Sequence, residues 1–325
     1  MQVADGVHVI RHADAPDGYP QGNTTVVIGA RGVLVVDSCY LPSSAAEDIA
    51  QIRRWTNRPV LYLLNTHWHP DHVRGNQQYL KAFPQLSIIA NRNTAILMAT
   101  YESGNLHRRP ARLAALRTQA DSGRNAAGDA LSAAEIAELR TVLAGSAVVD
   151  ADLSASYAMV LPNLTFDDAL DIDLGGRRVQ IRHSGAGDTQ GDAWLFLPDE
   201  RILVVGDLIV HPLPFFLAGY PKGFANTLRI VSALDPKTIV PGHGAVQHDQ
   251  AHIRSLIELI DTVNAAVDLE VAREGSLSAK LESVRKTIDV SRYRQQFAGD
   301  QPDDQEAFDE SIDGLIRNAF NQAPK

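Results

Sequence analysis

The stretch "HWHPDH" (67–72) places three histidines and an aspartate within six residues, directly after the apolar run "VLYLLNT" (60–66). An apolar run of that length reads as a buried strand. Residue types that bind metals or protons, set at its very end, require a fold in which strand ends open onto a site. In an extended chain successive side chains alternate faces, so His67 and His69 point the same way, with Asp71 and His72 following on a turn. Imidazole nitrogen and carboxylate oxygen are the donors Zn²⁺ takes when thiolates are absent, about four to each ion. Four donors this close in sequence rarely converge on one ion, because the backbone cannot fold tightly enough. A two-metal site completed by distant loops fits better.

The surroundings predict an α/β protein. "TTVVIGA" (24–30) and "GVLVVDS" (32–38) read as a hairpin turning near Ala30-Arg31-Gly32. Ser44 and Glu47 have capping-box spacing ahead of a helix carrying Ile49, Ile52 and Trp55. "LSIIA" (86–90) is a further strand. Residues 94–160 are rich in Ala and Arg and predict a helical hairpin insertion, a spacer or a lid over the site, with Ser132 and Glu135 opening its second helix. Strands return at 177–183, 193–198, 201–207 and 238–243, so the blocks 1–90 and 164–245 make two halves of one sandwich. From about 249 the pattern is helical. Ile253, Leu256, Ile257, Ile260 and Val263 share one face, and Phe308, Ile312, Leu315, Ile316 and Phe320 another. These faces need cover from the sandwich or from a second copy of the chain, as in a homodimer.

Three later strand ends present polar residues: "GAGDTQGD" (185–192), "VVGDL" (204–208) and "VPGHG" (240–244). Gly-rich loops at strand ends are where α/β proteins assemble sites. Asp207 follows four apolar residues and a glycine, and His243 stands between two glycines with room to approach a metal.

With "HWHPDH" as H-x-H-x-D-H, the G-x-T-x-G-D loop, a Gly-Asp after a strand and "PGHG" in that order, the chain resembles the metallo-β-lactamase-fold hydrolases over roughly residues 5–250. The resemblance implies an αββα sandwich over 1–250, with the helical insertion at 94–160 and a C-terminal helical extension at 251–325. It implies His67 and His69 on a first metal, Asp71, His72 and His243 on a second, and Asp207 bridging them, with Asp71 and Asp207 as catalytic residues. Where the family carries a third histidine for the first metal, this chain has Asp188. His183, five residues earlier, cannot take that place without rebuilding the loop. Asp188 is then a direct ligand, a ligand through water, or the mark of a weak first site, since its side chain falls short of a histidine's reach. It removes one positive charge from the cluster and makes Mn²⁺ or Fe²⁺ more plausible beside Zn²⁺, one or two ions per chain. The implied reaction is attack of a metal-bound hydroxide on a carbonyl substrate: a β-lactam, lactone, ester or thioester. The rival readings are an iron-dependent oxygenase on the same scaffold and a binding protein with a degenerate metal site.

Asp37, ending the strand "VLVVD", is a candidate acceptor for a ligand histidine or simply a strand cap. Thr189 and Asp192 shape their loop, Cys39 reads as inert, and Trp68 as packing. "HPLPFFLAGYPKGF" (211–224) cannot be a core strand and is expected to line the pocket. His211, Phe215, Phe216 and Tyr220 are its candidate substrate contacts, and Lys222 a partner for a substrate carboxylate.

A net charge of −9 lacks the footprint of a nucleic-acid binder. The one basic stretch, "HRRPARLAALR" (107–117), reads as a solvated helix face. No apolar run is long enough for a membrane span, and the partner implied is a small-molecule substrate. The single cysteine excludes an intrachain disulfide. The opening "MQVADGVHVI" is already strand-like and no export signal is legible. A trimmed one would leave the same text, so the cytoplasm and the periplasm both stay open.

Overall fold

The computed structural model describes residues 1–153, 157–216 and 219–323. Two sheets lie face to face. The first has seven strands in chain order: β1 (Gln2–Ala4), β2 (Val7–Ile10), β3 (Thr24–Ile28), β4 (Val33–Val36), β5 (Val60–Leu64), β6 (Ser87–Asn91) and β7 (Leu164–Phe166). The second runs β12-β11-β10-β9-β8, from β8 (Ala169–Asp173), β9 (Arg178–His183), β10 (Ala193–Leu197), β11 (Ile202–Val204) and β12 (Thr238–Val240). The β3–β4 hairpin is antiparallel with Val26 opposite Val35, while β4 to β7 run parallel, as do β11 and β12.

Strand alternation builds the layers. Val27, Leu34 and Val36 face inward and meet Ile181, Leu195, Leu197 and Val204 of the second sheet. Their neighbours Val26, Val33 and Val35 face outward, onto Ala45, Ile49 and Ile52 of α1 (Pro42–Trp55) and Tyr79 of α3 (Asn76–Ala82), which follows the short α2 (Pro70–Val73). Beyond the second sheet, Trp194, Phe196 and Leu203 pack with α7 (Pro221–Ala233), α8 (Ala251–Val271), α9 (Leu277–Thr287), α10 (Ser291–Ala298) and α11 (Pro302–Asn321). The result is the expected αββα sandwich. The two apolar faces of α8 and α11 find their cover in this shared cluster, within the chain.

The insertion is mostly helical where described: α4 (Arg92–Leu97), a π-turn (Met98–Glu102), α5 (Ser103–Ser122) and α6 (Ala133–Leu153), with a turn at 123–132 between the last two. Residues 154–156 of the expected span lie outside the described residues. The Ser132/Glu135 box forms, with Glu135 N–H donating to Ser132 Oγ and Ser132 N–H to the Glu135 carboxylate. The Ser44/Glu47 box does not. Helix α1 already begins at Pro42, and its free N–H at Ser43 is met by the Asp152 carboxylate of α6, which also accepts from Ser43 Oγ. A long-range cap thus replaced the local one. Arg109 departs from the solvated face expected of 107–117: it is buried and paired with Asp150 and Asp17.

Candidate metal centre

The strand ends converge as the sequence requires. Asp37 follows β4, residues 65–69 follow β5, Asp188 lies in the loop entering β10, and Asp207 and His243 follow β11 and β12. Two groups of donor atoms form there, each within 4.8 Å of one another: His67, His69, Asp188 and Asp207, and Asp71, His72, Asp207 and His243. Asp207 belongs to both. His67 Nε2 stands 2.9 Å from His69 Nδ1 and 3.6 Å from Asp207 Oδ2. His72 Nε2 is 3.2 Å from Asp207 Oδ1 and from His243 Nε2, and His243 Nε2 is 2.9 Å from Asp71 Oδ2. Asp188 does not fall short. Its Oδ2 lies 3.5 Å from His69 Nδ1 and 4.0 Å from His67 Nε2.

Outer contacts hold these side chains. Asp37 accepts from His72 Nδ1 at 2.8 Å and from both the N–H and the hydroxyl of Thr66, so one carboxylate fixes a ring and the strand exit together. Thr66 Oγ1 also meets His67 Nδ1 at 3.0 Å. Asp192 accepts from the N–H groups of Gly187 and Thr189 and from the Thr189 hydroxyl, which sets the loop bearing Asp188. Asn23 donates to the carbonyls of Pro241 and Gly244 and pins the turn of His243. Two glycines make room: a Cβ on Gly22 would stand 2.5 Å from His72 Cε1, and one on Gly242 would overlap Asp207 Oδ1. His183 turns away to the Asp192 carbonyl.

Burial, then the charge on His72, pulls His67 well below the ordinary imidazole range. His69 is lowered by burial as well. Both are therefore neutral with a lone pair to give. Burial opposes charge on His72 and His243 too, but there the carboxylates outweigh it. Asp207, Asp71 and Asp37 hold His72 well above its usual value, and Asp207 and Asp71 push His243 up to about 10. Burial, with Asp192 and Asp207 beside it, raises Asp188 well above the carboxylate range. Both Asp188 oxygens are buried with no hydrogen-bond partner among the described residues. Buried carboxylate oxygens without donors are costly. A divalent cation satisfies them and supplies the positive charge that the site otherwise draws onto its imidazoles, so the donor set fits a metal centre.

The groups floor a cavity of about 350 Å³. His211 and Phe215 line its wall, as expected, together with Arg11 and Tyr19 from the β2–β3 loop, which the motifs did not reveal. Tyr220 lines a neighbouring recess with Trp68, Asp188 and Tyr101. Two expected contacts lie elsewhere. Phe216 is buried in the helical core against Phe224, because the chain direction there sends alternate aromatics to opposite sides. Lys222, in the first turn of α7, pairs with Asp268 on the surface. The insertion borders the site: Tyr101 tilts against Trp68, and Glu102 and Arg109 line a recess reaching His69.

The fold, the shared carboxylate and the paired donor groups define a metallo-β-lactamase-type protein. Residues 17–243 match the family profile of the metallo-beta-lactamase superfamily, and the chain belongs to that family. A linear primary-alkylsulfatase of Pseudomonas sp. (strain ATCC 19151) is 24% identical over 220 residues, which is 66% of this chain but only 39% of that protein. Among solved structures, the inverting sec-alkylsulfatase Pisa1 from Pseudomonas sp. superposes with a TM-score of 0.64 at 15% identity, covering 99% of this chain and 49% of its own. A metallo-beta-lactamase from Pontibacter korlensis gives 0.55 at 17% identity, covering 80% of this chain and 97% of its own. Among the described residues no helix is long and apolar enough to cross a membrane.

Proposed function

We propose that this chain is a metal-dependent hydrolase of small esters, with alkyl sulfate esters as the leading substrate class. The observation that carries the reading is the pair of donor groups sharing Asp207 on the floor of an open cavity. The sulfate ester is favoured over the carbonyl substrates because the resemblance to the sec-alkylsulfatase runs through the helical region, over 99% of the chain, whereas the lactamase covers 80%.

His67, His69, Asp188 and Asp207 would hold one ion, and Asp71, His72, Asp207 and His243 the other, with zinc the best match to imidazole and carboxylate donors. Bound there, such ions supply Lewis acidity toward the attacking water and the departing oxygen. The protein's own share is positional and electrostatic. Asp207 fixes the spacing of the two groups. Asp71, held well below the carboxylate range by His72 and His243 against the push of burial, stays ionised and presents a negative oxygen to a cation and to the attacking water. Asp37 orients His72 and Thr66 orients His67. Arg11 places a cation on the wall where an anionic substrate enters, and Phe215 and Tyr220 offer apolar surface to its alkyl part.

The test is metal analysis followed by a matched panel of an alkyl sulfate, a lactone and a chromogenic β-lactam. Two zinc ions per chain, with sulfate release fastest on the panel, are expected. Full metal occupancy with no turnover of any ester, or stoichiometric iron with oxygen uptake, overturns the reading.

A further inference from the structure

Away from the two donor groups, a third cluster joins segments with no motif in common. His12 comes from the β2–β3 loop, Cys39 from the exit of β4, and Asp48 from the buried side of α1. His12 Nε2 and Cys39 Sγ are 3.2 Å apart, Cys39 Sγ and Asp48 Oδ2 3.2 Å, and His12 Nε2 and Asp48 Oδ2 3.3 Å. Thr24 Oγ1 closes on the same point, 3.3 Å from Cys39 Sγ and 3.4 Å from His12 Nε2. Cys39 is fully buried, Asp48 nearly so, and the His12 side chain is 10% exposed.

Hydrogen bonding gives every polar atom of this cluster a partner but does not account for all five contacts at once. The five contacts need a proton along each, yet the thiol, the imidazole Nε2 and the hydroxyl offer at most three, and an ionised Asp48 offers none. At least two contacts then set lone pair against lone pair, unless a proton is shared. One cation at the centre removes that conflict. Donors around a tetrahedral zinc-sized ion stand roughly 3.3–3.6 Å apart, given bonds of about 2.0–2.3 Å. The observed spacings lie within a few tenths of an ångström of this.

We propose that His12, Cys39 and Asp48 form a third metal site for a thiolate-preferring divalent ion of the zinc type, with Thr24 Oγ1 or a water in the fourth position. Binding releases the Cys39 proton to solvent on the His12 side. The bound ion, thiolate and carboxylate together are neutral, which suits a buried place. The role is structural. The ion ties the β2–β3 loop, whose Arg11, His12 and Tyr19 form one wall of the catalytic cavity, to α1 and to the same β4 exit that carries Asp37. The site stands whether or not the hydrolase reading does.

Because Cys39 is the only cysteine of the chain, thiolate bonding to a metal reports this site alone. Metal-free protein titrated with Co²⁺ should develop a near-ultraviolet sulfur-to-cobalt charge-transfer band equivalent to one thiolate per chain. Cys39→Ser should abolish that band, lower total zinc by one equivalent, and leave the visible bands of the nitrogen–oxygen centres. Should that variant fail to fold, His12→Gln, at the rim, should demand on the order of 10–100-fold more cobalt to reach the same band. X-ray absorption of the zinc protein should show one sulfur at about 2.3 Å. Cobalt-saturated protein without the band, or zinc with nitrogen and oxygen neighbours only, overturns the proposal.

Discussion

The two donor groups that share Asp207 are assembled differently. The group of Asp71, His72 and His243 is knit together by contacts among its own members. Its imidazoles and carboxylates are mutually paired, Asp37 locks His72, and Gly22 and Gly242 fit the walls closely to it. The group of His67, His69 and Asp188 has neutral imidazoles and a carboxylate whose oxygens have no hydrogen-bond partner among the described residues. One half pairs its imidazoles closely with carboxylates, and the other sets neutral imidazoles at longer range from Asp188. Two sites a few ångströms apart can thus differ in how strongly they depend on a cation, through one substitution in a loop.

The largest effect should come from abolishing the contrast. Asp207→Ala removes the shared ligand, and both ions should be lost together, with kcat/KM falling about 10³-fold or more. Loss of a single ion, measured by metal analysis, would show that Asp207 does not bridge.

Next in size is a control that separates acid damage to the fold from acid damage to the site. Burial, with His211 beside it, lowers the His252 pKa to about 4 from 6.5. Above pH 6.5 the ring is neutral in both states and contributes nothing to pH dependence. As pH falls below 6.5 the unfolded chain takes up the proton first, so stability declines until about pH 4. The full loss is on the order of 3 kcal/mol. Denaturant unfolding of His252→Gln should lack this part of the acid decline. An unchanged difference between pH 7 and pH 4.5 would refute it.

Asp37→Asn should weaken the Asp71–His72–His243 group by about 10–100-fold while sparing the other, read by competition with a chelator. Equal weakening of both would mean that Asp37 supports the strand exits in general. The smallest change is expected from Asp188→His, which needs no proton displaced before metal binds. It should tighten zinc in the His67–His69 group by about tenfold and move the ascending limb of the pH–rate profile, which reports the deprotonated nucleophile, to lower pH. Loss of metal instead would mark the carboxylate as fitted to that place.

Much of this centre could be read in the sequence because its donors sit in short motifs at strand ends, where alternation and glycines dictate direction. His67 and His69 are two apart, and His243 lies between glycines. What stayed hidden depends on tertiary approach. His12, Cys39 and Asp48 are separated by a loop, a hairpin and half a helix, so no spacing betrays that they meet. The cap of α1 comes from Asp152, over a hundred residues away. Phe215 and Phe216 are adjacent and chemically alike, and only the packing of α11 against the loop decides which one turns to the core. Strand β8 alternates exposed and half-buried residues and reads as polar, because it lies at the sheet edge.

That loop has a further property. Ser311 of α11 accepts from the Phe216 N–H and donates to the Pro214 carbonyl, and Asn318 donates to the Phe216 carbonyl. Gln322 donates to the Gly219 carbonyl. The segment beside the catalytic cavity is therefore fastened by residues made about a hundred positions later. At ordinary rates of synthesis that is a delay of roughly 5–20 s. Once His243 has been made, the nascent chain carries every residue of the two donor groups, while the border of the cavity still lacks its last fastening.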